Sequence, residues 1–346
     1  MKKVIGFDLE GPLSLQDNAY EVMRLIPEGD KIFEVISRYD DILTLEGREG
    51  YEPGDTLKLI TPFLMLHKIS EQDIKEVSNR THLVKGAKEL IKNLQENGWK
   101  VHIISTSYEQ HAYNIAERLG ISKRKVACTL FPLNRFYSFA LRKKDYAIVE
   151  NAENSINRIL DLCSIDNRSK NREIKTVLDR FYWHTLRRNS LWRQICKEIS
   201  VVGGRRKVQA LEKMARCYNY EPHPNTCLND IVAVGDSITD FQMLKVVEDT
   251  GGISIVFNGN IYVLPYGTVG LATTDMQDIQ LILNVYIKEG RKGLKRVILQ
   301  REAEQTRNSS SYYHWLVGKN SKEVDDILNI HKRFRQLVRG EAAKFG

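Results

Sequence analysis

Lys3-Val4-Ile5-Gly6-Phe7-Asp8-Leu9-Glu10-Gly11 runs an apolar strand straight into two carboxylates within three residues. A strand of this composition belongs inside a sheet, and charge at its tip is tolerable only where a cation or hydrogen-bond donors meet it. A second stretch far downstream repeats the pattern: Ile231-Val232-Ala233-Val234 ends in Gly235-Asp236-Ser237-Ile238-Thr239-Asp240. If the two strands are parallel neighbours, their carboxyl-end loops bring four acids to one crevice, where open α/β sheets bind ligands. A divalent cation is the natural partner for such a cluster.

Outward from these strands, apolar runs at 101–104, 125–130, 253–257 and 269–272 alternate with amphipathic helical patterns. Such alternation predicts an α/β fold, a doubly wound Rossmann-like parallel sheet with helices on both faces. The clearest unit spans 84–120: a helical repeat from Gly86 stops at Asn97-Gly98, a strand follows, and a second helix runs from Glu109 to Gly120. About 70 residues separate the first strand from this unit, too many for a connection, so residues 14–81 are expected to form a helical cap inserted after the first strand. Within them, 17–25 and 31–39 read as helices, Pro53-Gly54 as a turn, 57–67 as one strongly apolar helix, and Ser70 as a helix cap. Residues 135–202 form a second, basic helical insertion. Residues 1–13, 82–134 and 203–290 make up the core, and residues 291–346 a helical C-terminal extension. In that extension Asn320 and Glu323 make a capping pair for a helix carrying Val324, Ile327, Leu328, Phe334, Leu337 and Val338 in a stripe that ends near Gly340. This helix is expected to dock on the body or to bind a protein partner.

Apolar content of 42% and charged content of 28% over 346 residues fit a globular protein with a large core and attachments. No apolar run reaches the length of a membrane span and no leader pattern opens the chain, so a cytoplasmic protein without membrane insertion is expected. The five cysteines (Cys128, Cys163, Cys196, Cys217 and Cys227) include no C-x-x-C pair, which argues against a disulfide framework, structural zinc or an iron–sulfur cluster. The net charge of +8 concentrates in residues 135–207 and 288–346, where Lys and Arg outnumber Asp and Glu about two to one. A basic face attracts phosphorylated metabolites, nucleic acid or acidic proteins, but a solvated helix surface is the simpler reading, and nucleic acid is not an expected partner.

Four elements follow one another along the chain: Asp8-Leu9-Glu10-Gly11, Ile103-Ile104-Ser105-Thr106-Ser107, Lys207 and Gly235-Asp236-Ser237-Ile238-Thr239-Asp240. Taken singly each has an ordinary explanation: a turn, a helix cap, a surface charge, and a cap for the helix that continues through Leu244. In this order the set resembles the haloacid dehalogenase superfamily. Leu83-Val84-Lys85-Gly86 through Leu119-Gly120, and Lys207-Val208-Gln209-Ala210-Leu211, are similar to its phosphoserine-phosphatase-like branch. The resemblance covers the core, roughly half the chain, and leaves both insertions and the C-terminal segment unaccounted for. It implies a phosphatase acting on a small phosphorylated metabolite through an aspartyl phosphate, with Asp8 as nucleophile and Mg²⁺ as cofactor. The metal ligands would be Asp8, the Glu10 carbonyl and Asp236, with Asp240 acting through water or as an orienter. Ser105 and Lys207 would hold the phosphoryl group, assisted by the backbone N–H groups of Leu9 and Thr106.

The chemistry is coherent in its own right. An Asp that attacks phosphorus splits one difficult hydrolysis into two displacements. The like-charge approach this requires is offset only by a cation and hydrogen-bond donors. Glu10 departs from the Asp that most phosphatases of the superfamily carry two positions after the nucleophile. A carboxyl of either length can protonate the leaving alkoxide if it reaches, and Asp-Leu-Glu-Gly resembles a phosphoserine/homoserine phosphotransferase type within the same superfamily. The chain is also similar to archaeal members described as energy-converting hydrogenase A accessory subunit R, which implies a second reading as a non-catalytic accessory or assembly protein. His67, His102, Trp183 and Trp192 read as structural residues. Specificity would come from the cap, with Tyr20, Arg24, Arg38, Tyr39 and Tyr51 as the candidates to face the crevice.

Overall fold

The computed structural model describes residues 3–138, 143–161, 167–218 and 228–345. Seven strands form one sheet: β1 (Val4–Phe7), β2 (Lys100–Tyr108), β3 (Val126–Thr129), β4 (Ile231–Gly235), β5 (Ile253–Phe257), β6 (Val269–Thr273) and β7 (Ser311–Trp315). Their order is β3-β2-β1-β4-β5-β6-β7. The first six strands are parallel, and β1, β4, β5 and β6 are buried along their whole length, as expected for strands covered on both faces.

β1 pairs with β2 on one side and β4 on the other, in a register that sets Phe7 against both Ile103 and Val234. β1 therefore ends beside the end of β4 and beside Ile103 of β2, at the point where the strand order reverses direction around β1. β2 runs further than the apolar pattern indicates, through Ser105 and Thr106 to Tyr108, with a register shift against β3 after Ile104. Those two residues therefore stand on the strand end and not in a loop after it.

β7 is a strand that the apolar pattern did not show, and it lies within the segment expected to be helical. It pairs antiparallel with β6, Val269 opposite Trp315. Its sequence, Ser311-Tyr312-Tyr313-His314-Trp315, is aromatic and β-prone without a Val/Ile run, which suits an edge position.

The apolar stretch expected to be one helix over 57–67 is two, Thr56–Leu59 and Thr61–Leu66. Pro62 sits in the first turn of the second, where its missing N–H costs nothing, and its ring cannot continue the preceding turn. Ser70 caps the next helix with a reciprocal capping box to Asp73. Helices between residues 18 and 79 share one apolar core with those between 143 and 198. Tyr20, Phe33, Tyr39, Phe63, Ile156, Leu178, Tyr182 and Trp192 are among its members. The helices of residues 14–81 and the described helices of the basic segment are thus a single packed helical layer over the carboxyl edge of the sheet. Tyr182 donates its hydroxyl to the Leu59 carbonyl and Trp183 donates to the Tyr39 hydroxyl, so these aromatics serve packing.

His102 is bonded to the Tyr218 hydroxyl, and burial, followed by Lys125, lowers it to about 4. His67 pairs with Glu153. Both are structural, as their strand and helix positions suggested. Cys128, Cys196 and Cys217 are free thiols, and Cys163 and Cys227 lie outside the described residues. No helix among the described residues is long and apolar enough to cross a membrane.

The C-terminal helix Ser321–Arg339 opens on the expected Asn320/Glu323 capping box and docks on the body. Its buried face differs from the expected stripe. Ile327, Leu328 and Phe334 are inside, but so are His331, Arg335 and Arg339, while Leu337 is 66% exposed.

Candidate active site

β1 delivers Asp8 and β4 delivers Asp236, and the Asp8 N–H donates to the Val234 carbonyl across the two strand ends. Beside Asp8 stands Lys207, near the start of the helix Arg205–Arg216 and fully buried. Its ammonium donates to Asp8 Oδ1 at 2.7 Å and to Asp240 Oδ1 at 2.6 Å. Burial by itself would lower the Lys207 pKa, but Asp240 and Asp8 outweigh it and raise the ammonium above its usual range.

The helix start is fixed from the helical layer. Glu52 accepts from the Arg205 N–H and from Arg205 Nε at 2.6 Å, and Asp55 accepts from Arg206. The Pro53-Gly54 turn thus lies directly over Gly203-Gly204, where no side chain would fit: a Cβ on Gly203 would sit 1.9 Å from the Pro53 carbonyl oxygen.

Asp240 closes the loop after β4. Its Oδ2 accepts from the N–H groups of Asp236 (3.0 Å) and Ser237 (3.1 Å), and its Oδ1 is taken by Lys207. Both oxygens are thus engaged by donors of the protein, which makes Asp240 an orienting residue. Asp236 is different. Its Oδ2 is held by Arg335 and Arg339, while its Oδ1 is buried with no partner. Oxygens of Asp8, Asp236 and Asp240 lie within 4.8 Å of one another. Desolvation, followed by repulsion from Asp240, pushes the Asp8 carboxyl up to about 7 against the opposing pull of Lys207. An orphaned carboxylate oxygen beside a second strained carboxyl fits a hard divalent cation.

Gly11 makes this approach feasible. It adopts φ +101°, and a Cβ there would sit 2.3 Å from Asp236 Oδ2. Gly11→Ala is expected to cost about 1–3 kcal/mol from backbone conformation alone, and to displace Asp236. Denaturant unfolding together with Mg²⁺ titration checks this. A variant as stable as the wild type, with unchanged Mg²⁺ affinity, would contradict the geometry.

Glu10 accepts from the Asn18 N–H at 2.9 Å, and the buried His111 ring lies 3.6 Å from it. Desolvation, then Asp17, pushes the Glu10 carboxyl up to about 8, while burial, followed by Arg118, holds His111 neutral at about 3. Asp8, Glu10, Thr106 and Ser107 line a cavity closed from above by Asp17, Asn18, Phe33, Ser37, Asp40 and Asp41. Ser105 is fully buried, its hydroxyl accepting from the Ser107 N–H at 3.0 Å, and neither it nor Leu9 is part of the lining.

None of the five cap candidates faces the cavity. Tyr39 and Tyr51 spend their hydroxyls on Asp179 and Asp40, and Tyr20 packs on Phe33 and Phe345. The main residues missed by sequence reasoning are Arg335 and Arg339. The C-terminal basic residues read as a solvated surface, yet these two are 3% and 8% exposed.

No protein-family model matches the chain. A phosphoserine phosphatase of Archaeoglobus fulgidus is 24% identical over 120 residues, covering 35% of this chain and 32% of that protein. The chain thus spans about a third of the length of the curated relative it matches. Among solved structures, gene product AF1437 from Archaeoglobus fulgidus matches with a TM-score of 0.80 at 25% identity, covering 100% of this chain and 99% of that one. A phospho-aspartyl intermediate analogue of phosphoserine phosphatase matches with a TM-score of 0.50 at 17% identity, covering 81% and 98%. The strand order and these neighbours together give the chain the haloacid dehalogenase-like fold of the phosphoserine phosphatases.

Proposed function

We propose that the chain is a Mg²⁺-dependent phosphatase of small phosphorylated metabolites that works through an aspartyl phosphate on Asp8. The observation that carries this reading is the buried Asp8–Lys207–Asp240 array set beside the unpartnered Oδ1 of Asp236. Mg²⁺ would be held by Asp8, the Glu10 carbonyl and Asp236, where it would offset the charge that builds up as a phosphoryl group meets a carboxylate.

In the first step an Asp8 carboxylate oxygen bonds to phosphorus and the bond from phosphorus to the leaving oxygen breaks. Glu10, whose carboxyl retains a proton near neutral pH, gives that proton to the departing alkoxide. In the second step the Glu10 carboxylate takes a proton from water, the resulting hydroxide attacks phosphorus, and phosphate leaves with Asp8 restored. Lys207 stays protonated throughout and neutralises the transferring group; the Thr106 N–H is a further donor, and the buried Ser105 hydroxyl acts indirectly, by orienting the Ser107 N–H from which it accepts. Replacing the water with a small alcohol would make the same steps a phosphotransfer. The cavity, in which Asn18, Ser37 and Thr56 stand among apolar surface from Phe33, Leu57 and Phe345, suits a small leaving group with both polar and apolar parts.

The test is phosphate release from an aryl phosphate and from a panel of sugar, amino-acid and nucleotide phosphates. Release that requires Mg²⁺ and stops with a chelator is expected, and silence across the whole panel would sink the reading.

Cation binding should also depend on pH. Metal ligands must be deprotonated, and Asp8 titrates at about 7. Affinity for Mg²⁺ is therefore expected to fall about tenfold per pH unit below 7 and to level off above it. In the cation-free protein the same shift acts in the opposite sense. Folded Asp8 keeps a proton that the unfolded chain releases near pH 4, so this contribution to stability is lost as pH rises through 7. Calorimetric titrations at pH 5.5, 6.5 and 7.5 would show the trend, and a flat profile would contradict it.

A further inference from the structure

The cation site implied by Asp8 and Asp236 is completed by a segment that carries none of the four sequence elements. Arg335 lies on the buried face of the C-terminal helix and has every donor group engaged. Its Nη1 donates to Asp236 Oδ2 and to the Asp236 carbonyl at 3.2 Å. Its Nη2 donates to the Phe345 carbonyl at 2.5 Å and its Nε to the Ala343 carbonyl at 2.9 Å. One turn on, Arg339 Nη1 donates to the same Asp236 Oδ2 at 3.1 Å, and Arg339 lines the cavity.

Both guanidinium groups use one carboxylate oxygen and leave the other bare. Gly11 lies close against the same carboxylate, where a Cβ would sit 2.3 Å from Oδ2 and 2.9 Å from Oδ1. The segment then continues to Phe345, whose ring packs 5.0 Å from Phe33 and 4.6 Å from Tyr20, so one stretch of chain touches both the cation site and the roof of the cavity.

We propose that Arg335 and Arg339 are positioning residues that clamp Oδ2 of Asp236 and thereby present its Oδ1 to the cation, so that cation binding depends on the docked C-terminal segment. The proposal rests on the reading of Asp236 as a metal ligand. A plug, in which the arginines stand in for the cation, would compete for both carboxylate oxygens or for Asp8. Here the arginines leave Oδ1 free, and Asp8 Oδ1 is bonded to Lys207. Arg335 is tied to four backbone carbonyls (Asp236, Asn258, Ala343 and Phe345), as a fixed brace would be.

Residues that orient a metal ligand typically contribute about 10–100-fold to metal affinity. Coupling between the segment and the site is reciprocal: if the docked segment favours the cation, the cation must favour docking. The substitution that separates orientation from charge is Arg to Lys, which keeps the positive charge and loses the planar fork.

The experiment is calorimetric Mg²⁺ titration, repeated with Mn²⁺ by paramagnetic resonance, on wild type, Arg335→Lys, Arg339→Lys and Asp236→Asn. Hydrogen exchange across residues 321–345, with and without Mg²⁺, is followed in parallel on the wild type, where no variant can misfold. The expected results are affinity about tenfold or more weaker in each Lys variant, and slower exchange of the segment when Mg²⁺ binds. Unchanged or tighter binding in the Lys variants, or exchange indifferent to Mg²⁺, would overturn the clamp. If the wild type binds Mg²⁺, Asp236→Asn abolishes it and the Lys variants match wild type, the clamp alone fails. If the wild type binds neither cation, the metal reading fails with it.

Discussion

Asp8→Asn is expected to lower phosphate release by on the order of 10⁴-fold or more while leaving the protein folded. The amide is isosteric but cannot attack phosphorus, and losing a nucleophile removes a covalent route that no neighbouring group replaces. The fold should tolerate the change, because Asn keeps an oxygen to accept from Lys207, and because the carboxyl it replaces is itself strained upward to about 7 by desolvation and Asp240. Thermal stability at pH 8 should therefore hold or rise in the cation-free protein while activity vanishes. Activity assays and melting curves on one preparation separate the two effects. An active Asn variant, judged clean of contaminating phosphatase by its KM, would place the chemistry elsewhere.

Lys207→Met is the second large effect, and it should appear in stability as well as in activity. The ammonium is the shared donor of two buried carboxylates at 2.7 and 2.6 Å. Removing one partner of such a pair typically costs about 3–5 kcal/mol, because the remaining charges stay in a poor solvent. Part of that cost is relieved by protonation of Asp8, whose pKa rises further once Lys207 no longer lowers it, so the loss should grow with pH above 7, where the wild type has given up that proton and the variant must still keep it. Urea unfolding at pH 6 and pH 8 checks this. A loss that is small and independent of pH would mean that Lys207 is not the counter-charge its contacts indicate.

The two predictions draw on features that differ in how far sequence could reveal them. Asp8 and Asp236 were legible because each follows directly on a short apolar strand, and a parallel arrangement brings such tips together whatever lies between. Lys207 has no such local mark. Lysine on a helix is ordinarily solvated, and only its place in a familiar order of elements singled it out.

Arg335 and Arg339 were illegible for a stronger reason. On the same helix Arg333 is exposed while Arg335 is buried, and Leu337 is exposed where a hydropathy stripe would put it inside. What distinguishes Arg335 from Arg333 is a carboxylate about 100 residues upstream, reached only through the tertiary fold. Ion pairing of that kind overrides the periodic pattern, because a guanidinium with all its donors satisfied can occupy a core position that an apolar side chain would otherwise fill.

The edge strand β7 escaped for a milder reason, since its aromatic residues resemble the surface of a turn as readily as a strand. The helical layer shows a different limit. The helices of residues 14–81 were legible singly, apart from the break at Pro62, whereas 135–202 read only as a helical insertion without bounds; the merging of the two into one core depends on contacts such as Tyr39 against Tyr182, 6.2 Å apart between ring centres and 143 residues apart in sequence. The inward face of that layer followed the same rule. The tyrosines that looked suited to hold a substrate are engaged in the helical layer, Arg24 and Arg38 bond to Glu21 and Asn171, and smaller polar residues such as Asn18 and Ser37 line the cavity instead.

The central claim is that Asp8 carries the phosphoryl group between the two steps. Acid quenching of the wild-type protein during turnover of an aryl phosphate with Mg²⁺, followed by peptide mass spectrometry, tests it directly. A phosphoryl adduct on Asp8 that appears only with Mg²⁺ and is absent from Asp8→Asn is the predicted result. Turnover without any such adduct, or an adduct on another residue, would contradict it.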